Sequence, residues 1–219
     1  MIPMEKTILR ILFAALMMGG CSGPPAEKAG GGWPGHRLQS WLDYYGLQLE
    51  DFDQAGRFDA SYPVRGPHEP ADEELYAPLY VYSADSTLAI DLDSYHLVIN
   101  RRNDGSLYSP GREADMEVAL IDLEAGLRTR LLFCGTPCLF EEAGFHPDGR
   151  VFVAGFSEAG SSHLPAIWLV DTAERKVDFL QATRAFHPVE VRYISEVRLS
   201  HIDFLFETFL PVSPADPLP

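Results

Sequence analysis

Basic residues are scarce in this chain. Its 219 residues carry 17 Lys and Arg against 32 Asp and Glu, a formal net charge of -15. Nucleic acid is bound through cations that neutralise phosphates, so this balance excludes a nucleic-acid partner. It also excludes electrostatic docking on an anionic membrane face. An apolar run able to span a bilayer is missing as well: the N-terminal one, residues 8–18, falls short of the roughly 20 residues required. Catalytic signatures are absent. There is no Gly-x-Ser-x-Gly elbow, no His-Glu-x-x-His and no phosphate-binding glycine loop. The 7 histidines are scattered, and His146 and His187 each precede a proline, a loop context more than a catalytic one. Cysteine is limited to 3 residues. What is present is ordinary for a folded domain. A hydrophobic fraction of 46% with 22% charged residues excludes global disorder, and the length suffices for one good core.

The N-terminus reads as a targeting segment. Lys6 and Arg10 supply positive charge, residues 8–18 are apolar, and Gly19 and Gly20 lead to Cys21. A positive start, a short apolar stretch and small residues before a cleavage point describe a secretory signal. Met18-Gly19-Gly20-Cys21 resembles the lipobox of bacterial lipoproteins, with Met18 where Leu, Val or Ile is usual. The resemblance covers only the first 21 residues. It implies that residues 1–20 are a signal peptide, that Cys21 carries lipid, and that the membrane is a partner through this anchor. Ser22 follows, where Asp would favour inner-membrane retention, so the resemblance implies the bacterial cell envelope at the periplasmic face of the outer membrane. Each buried acyl CH₂ contributes about 0.8 kcal/mol, so several chains hold a protein stably. A simple secretory signal with a free cysteine is the alternative.

With Cys21 assigned to lipid, Cys134 and Cys138 remain. An exported compartment permits disulfides, and Gly135-Thr136-Pro137 between them is turn chemistry. The pair is expected to form a local structural disulfide. A redox site would favour two intervening residues instead of three, and zinc would want further ligands. The flanking Leu131, Leu132, Phe133, Leu139 and Phe140 are expected in the core.

Along the chain, residues 21–35 are rich in Gly, Pro and Ala and read as a flexible tether. Residues 36–210 read as a single mainly-β domain and 211–219 as a proline-rich tail. Leu38, Trp41, Leu42 and Tyr45 predict one short N-terminal helix at 37–45, with Gly46 as its left-handed cap. Residues 47–77 read as a long irregular connection with at most a short strand near 57–62. Strands are then predicted at 79–83, 88–92, 95–101, 117–123, 128–133, 141–145, 150–156, 166–171, 176–180, 189–199 and 202–210, with a polar loop at 108–115. Residues 189–199 alternate, which predicts a half-buried strand.

A faint internal repeat relates residues 118–132 to 167–181, each a strand ending in Asp, a polar turn and a second strand. Asp122 and Asp171 are equivalent in it, which predicts that they cap turns through backbone amides. The units resemble blades of a β-propeller, as in uncharacterised bacterial lipoproteins. About three units fit, fewer than a closed ring needs. The resemblance therefore implies antiparallel sheets in a partial or small propeller-like stack, or a twisted sandwich.

Two sets of residues could carry function. Asp91 and Asp93 share a strand face with Tyr95 and could contribute to a calcium site, though calcium wants six to eight oxygens. Ser162 beside His163 is the nearest approach to a hydrolytic pair and lacks a third group. Neither set predicts a cofactor. The expected function is a lipid-anchored envelope domain, non-enzymatic, binding or scaffolding an envelope protein or a small ligand. An envelope hydrolase with a site assembled from distant residues and a calcium-dependent binding module are the alternatives.

Overall fold

The predicted helix forms as α1, Gly35–Tyr45. Leu38, Trp41, Leu42 and Tyr45 are all buried, as their spacing requires. Its end is a Schellman turn: Gly46 sits at φ +61°, its N–H bonds the Asp43 carbonyl, and the Leu47 N–H bonds the Leu42 carbonyl at 2.9 Å. Leu47 then packs back into the core. This computed structural model describes residues 35–60, 65–68, 73–136, 138–159, 162–187, 190–206 and 209. The segments read as signal peptide and tail, and most of the one read as tether, lie outside the described residues.

The chain is mainly β. Its strands are β1 (Phe52–Asp59), β2 (Arg65–Pro67), β3 (Val81–Tyr82), β4 (Leu88–Asp91), β5 (Leu97–Arg101), β6 (Leu107–Arg112) and β7 (Met116–Asp122). They continue with β8 (Leu127–Cys134), β9 (Cys138–Phe145), β10 (Val151–Ala159), β11 (Ser162–Asp171), β12 (Lys176–Ala182) and β13 (Ile202–Phe204). One sheet is the antiparallel meander β9-β10-β11-β12 with β1 added outside β12. A second repeats the plan as β3-β4-β7-β8 with β2 outside β8. The β5–β6 hairpin, inserted between β4 and β7, forms the third sheet with parallel β13. The repeated hairpins noted in the sequence are β7–β8 and β11–β12, which hold equivalent places in the first two sheets. Asp122 accepts the Ala125 N–H, and Asp171 accepts those of Ala173 and Glu174. Three sheets and no ring of blades are seen among the described residues.

Trp41, Phe140, Phe152 and Phe156 centre a single apolar cluster that reaches every sheet. Full burial of each such ring stabilises by about 1.5–3 kcal/mol. Cys134 and Cys138 form the expected disulfide, with Cα atoms 6.0 Å apart. It closes the step from β8 in the second sheet to β9 in the first. Leu132, Leu139 and Phe140 are buried beside it, whereas Phe133 is 47% exposed, against expectation.

Four further expectations are corrected. Residues 52–59 are a strand, not irregular: β1 is an edge strand exposed on both faces, so no apolar alternation marks it. Its charges bind it to the β12 side instead, Arg57 to Glu174 and Asp178 and Asp59 to Lys176. Residues 107–112 are also a strand despite Pro110. Ser109 and Pro110 sit in a bulge opposite Ile99, where a missing N–H is tolerated. Of the strand predicted at 189–199, the described residues 190–199 are not a strand. A helical turn, Ile194–Arg198, closes with the Leu199 N–H on the Ile194 carbonyl at 2.7 Å. Val191 and Ile194 face inward, while Val197 is exposed, so the burial period is helical. Finally, among the described residues the last strand, predicted at 202–210, is β13, Ile202–Phe204.

Candidate functional site

Strand β9 carries two consecutive buried carboxylates, Glu141 and Glu142. Neighbours on a strand normally point to opposite faces. Here Ala154 faces Glu142 and Gly155 faces Phe140, so Glu141 is the extra residue of a β-bulge. The bulge demands Gly155, because a Cβ there would stand 1.9 Å from the Leu139 carbonyl oxygen. The Glu141 carboxylate accepts from Trp41 Nε1 at 2.8 Å and from the Tyr45 hydroxyl at 2.9 Å. Glu142 accepts from Arg37 at 3.1 Å, the Tyr193 hydroxyl at 2.9 Å and the Ala143 N–H at 3.0 Å. Two adjacent acids thus fasten α1 and the segment before the helical turn to one strand.

Arg198 stands at the centre. It donates twice to Asp93, each bond 2.7 Å long, and its charge reaches Glu141 and Glu142. Burial opposes its charge, but Asp93 outweighs that, so Arg198 holds its proton more tightly than a free guanidinium. Glu141 moves the other way. Burial and then the Glu142 charge push its carboxyl up to about 7, against the hydrogen bonds from Trp41 and Tyr45. Burial also drives the Tyr45 and Tyr193 hydroxyls above the usual tyrosine range, with Glu141 and Glu142 respectively adding to it. His96, fully enclosed, is lowered to about 4 by burial first, with Arg198 and Arg112 pressing the same way and Asp93 opposing. The Leu92 backbone tempers that shift, yet neither ring nitrogen makes a well-formed hydrogen bond.

A second network crosses the β4-β7-β8 sheet. Asp91 accepts from Arg128, Glu117 accepts from Arg128 and Arg130, and Ser94 caps Asp91. Burial would raise the Asp91 carboxyl, but Arg128 prevails and holds it below the usual range. Outside it, Arg130 lies over the Phe133 ring and Tyr95 meets that ring edge-on.

No family model, curated protein or solved structure matches the chain. Its site must therefore be read from its own geometry.

Of the sequence-predicted residues, Asp91 and Asp93 are both buried and each is engaged by an arginine, not directed at a shared opening. His163 is buried at the start of β11, opposite Glu158, with Nδ1 unpaired. The side chain of Ser162 lies outside the described residues, as does Cys21. Sequence reasoning missed Glu141, Glu142, Arg128 and Arg198. The signal for the first two was legible: paired acids in the otherwise apolar run of residues 138–145. Among the described residues, no cluster of His, Cys, Asp and Glu suits a metal ion, and no helix is long and apolar enough to cross a membrane. Two open clefts flank the third sheet. One of about 530 Å³ is lined by Arg192, Ser195, His201, Asp203 and Phe206 among others. The other, about 360 Å³, is lined by Gly111, Arg112, Ala114 and the same Phe206.

Proposed function

We propose that the protein is a lipid-anchored domain of the bacterial cell envelope that binds a ligand or partner without transforming it. The observation that carries the non-enzymatic part is the engagement of the buried acids. Glu141, Glu142, Asp91, Asp93 and Glu117 each accept from fixed donors of the fold. A general acid or base needs a reactant within hydrogen-bond reach. These groups instead hold α1, the helical turn and the sheets in register. Asp91 and Asp93 give their oxygens to arginines, which disfavours the calcium reading. What the surface offers is a rigid frame with two open clefts at one sheet.

The anchor rests on the lipobox-like Met18-Gly19-Gly20-Cys21, and the disulfide Cys134–Cys138 fits an exported, oxidising compartment. Cys21→Ala tests the reading. In a bacterial host fed radiolabelled palmitate, the unsubstituted chain is expected to take up label and sediment with membranes. The variant is expected to lose both properties. A variant that still sediments with membranes overturns the anchor.

A further inference from the structure

We infer that the cleft between β6 and the segment after β13 binds a small monocarboxylate with an apolar body, and that Arg112 holds its carboxylate. This deepens the binding reading above and rests on it only in that a ligand exists. The argument starts from charge accounting. The chain holds 32 acids and 17 bases, so carboxylates outnumber cations almost two to one. The other half-buried or buried guanidiniums have internal acceptors. Arg102 meets Asp203, Arg128 and Arg130 meet Glu117, Arg150 meets Asp148, and Arg198 meets Asp93. Arg112 is half-buried at the end of β6 and meets no carboxylate among the described residues. Among them its hydrogen bond is to the carbonyl of its own neighbour, Glu113, at 3.2 Å.

Burial weakens the charge of Arg112: the guanidinium is held below its ordinary range, with no acid among the described residues opposing the shift. That uncompensated charge also bears on enclosed His96, whose backbone carbonyl accepts the Glu113 N–H. A partly desolvated, unpaired cation destabilises the fold that carries it. Natural sequences keep such residues where function needs them. Arg112 lines a cleft of about 360 Å³ whose other walls are Gly111, Ala114 and the Phe206 ring. The guanidinium fork matches a carboxylate bidentately, and Phe206 offers an apolar face to the rest of the ligand. The net charge of -15 repels polyanions, so a single carboxylate fits better than a phosphate dianion or nucleic acid.

The test uses the full chain, with phenylacetate as probe and phenylacetamide as its neutral counterpart, in calorimetric titration and thermal melting. Phenylacetate is expected to bind saturably and raise the melting temperature, and phenylacetamide to do neither. Arg112→Met keeps the aliphatic stem and is expected to weaken phenylacetate binding at least about tenfold, the loss of a charge-assisted hydrogen bond. Phe206→Ala should weaken it less. Without ligand, Arg112→Met is expected to melt at or above the unsubstituted protein. A lower melting temperature would mean that Arg112 serves the fold and would overturn the proposal. So would equal binding of the amide, unchanged binding by Arg112→Met, or no saturable binding of phenylacetate. Membrane anchoring through Cys21 is read independently of all these outcomes.

Discussion

At the scale of single residues, two buried titratable groups oppose each other. Glu141 has its carboxyl raised from 4.5 to about 7 by burial. Its contribution to stability is therefore fully present below pH 4.5 and is lost as pH rises through about 7. His96 is lowered from 6.5 to about 4 by burial, so its contribution is present above pH 6.5 and is lost as pH falls through about 4. The two slopes offset each other between pH 4.5 and 6.5. Replacing Glu141→Gln removes one of them and keeps an acceptor for Trp41 and Tyr45. The difference in unfolding free energy, variant minus unsubstituted, should then climb with pH by about 3 kcal/mol between pH 4.5 and 7. Urea unfolding at pH 4.5, 5.5 and 7 measures it. Parallel profiles for the two proteins would show that Glu141 ionises normally in the fold.

At the scale of elements, local rules were legible where one face of a segment is buried. The α1 stripe with its Gly46 cap, the Asp-capped hairpins β7–β8 and β11–β12, and the Cys134–Cys138 closure all follow from nearest-neighbour chemistry. Elements stabilised by distant partners were not legible. β1 is held by ion pairs to a strand more than a hundred residues away, and the Ile194–Arg198 turn forms where Tyr193 and Arg198 must reach Glu142 and Asp93. The bulge at Glu141 depends on Gly155, whose reason is visible only when the Leu139 carbonyl is placed against it. Gly155→Ala is accordingly expected to destabilise by about 1–3 kcal/mol, as overpacking does, and to loosen α1 by turning Glu141 away. Denaturant unfolding and the near-ultraviolet signal of Trp41 report both effects; an unaffected variant would mean that the strand relaxes freely around the methyl group. Reducing the disulfide closes a much shorter argument. A five-residue loop constrains the unfolded chain by about 2 kcal/mol, so the reduced protein should remain folded with its unfolding free energy lowered by that amount. Unfolding of the reduced protein without denaturant would assign the bridge a larger role.

At the scale of the whole molecule, the two five-stranded sheets share a plan and are joined by few chain connections, and a buried ion pair reinforces their common apolar core. Asp93 follows β4 of the second sheet, while Arg198 belongs to the turn whose neighbour Tyr193 bonds Glu142 of the first. The Asp93–Arg198 pair therefore adds a charged tie between units that already share one apolar cluster. Charge signs in the sequence could not reveal this, because the partners lie 105 residues apart. Buried ion pairs have a recognisable energetic signature. Removing one partner leaves an uncompensated buried charge and costs about 3–5 kcal/mol, whereas removing both costs far less than the sum. Asp93→Asn and Arg198→Met are each expected in that range, and the double substitution should recover about 2 kcal/mol of their sum. The exposed pair Arg57–Glu174 serves as control, with a coupling below about 1 kcal/mol. If the Asp93–Arg198 cycle proves additive in urea unfolding, the pair is a local contact. If it couples and the single variants also unfold in two steps instead of one, the pair is what makes the two sheets one cooperative domain.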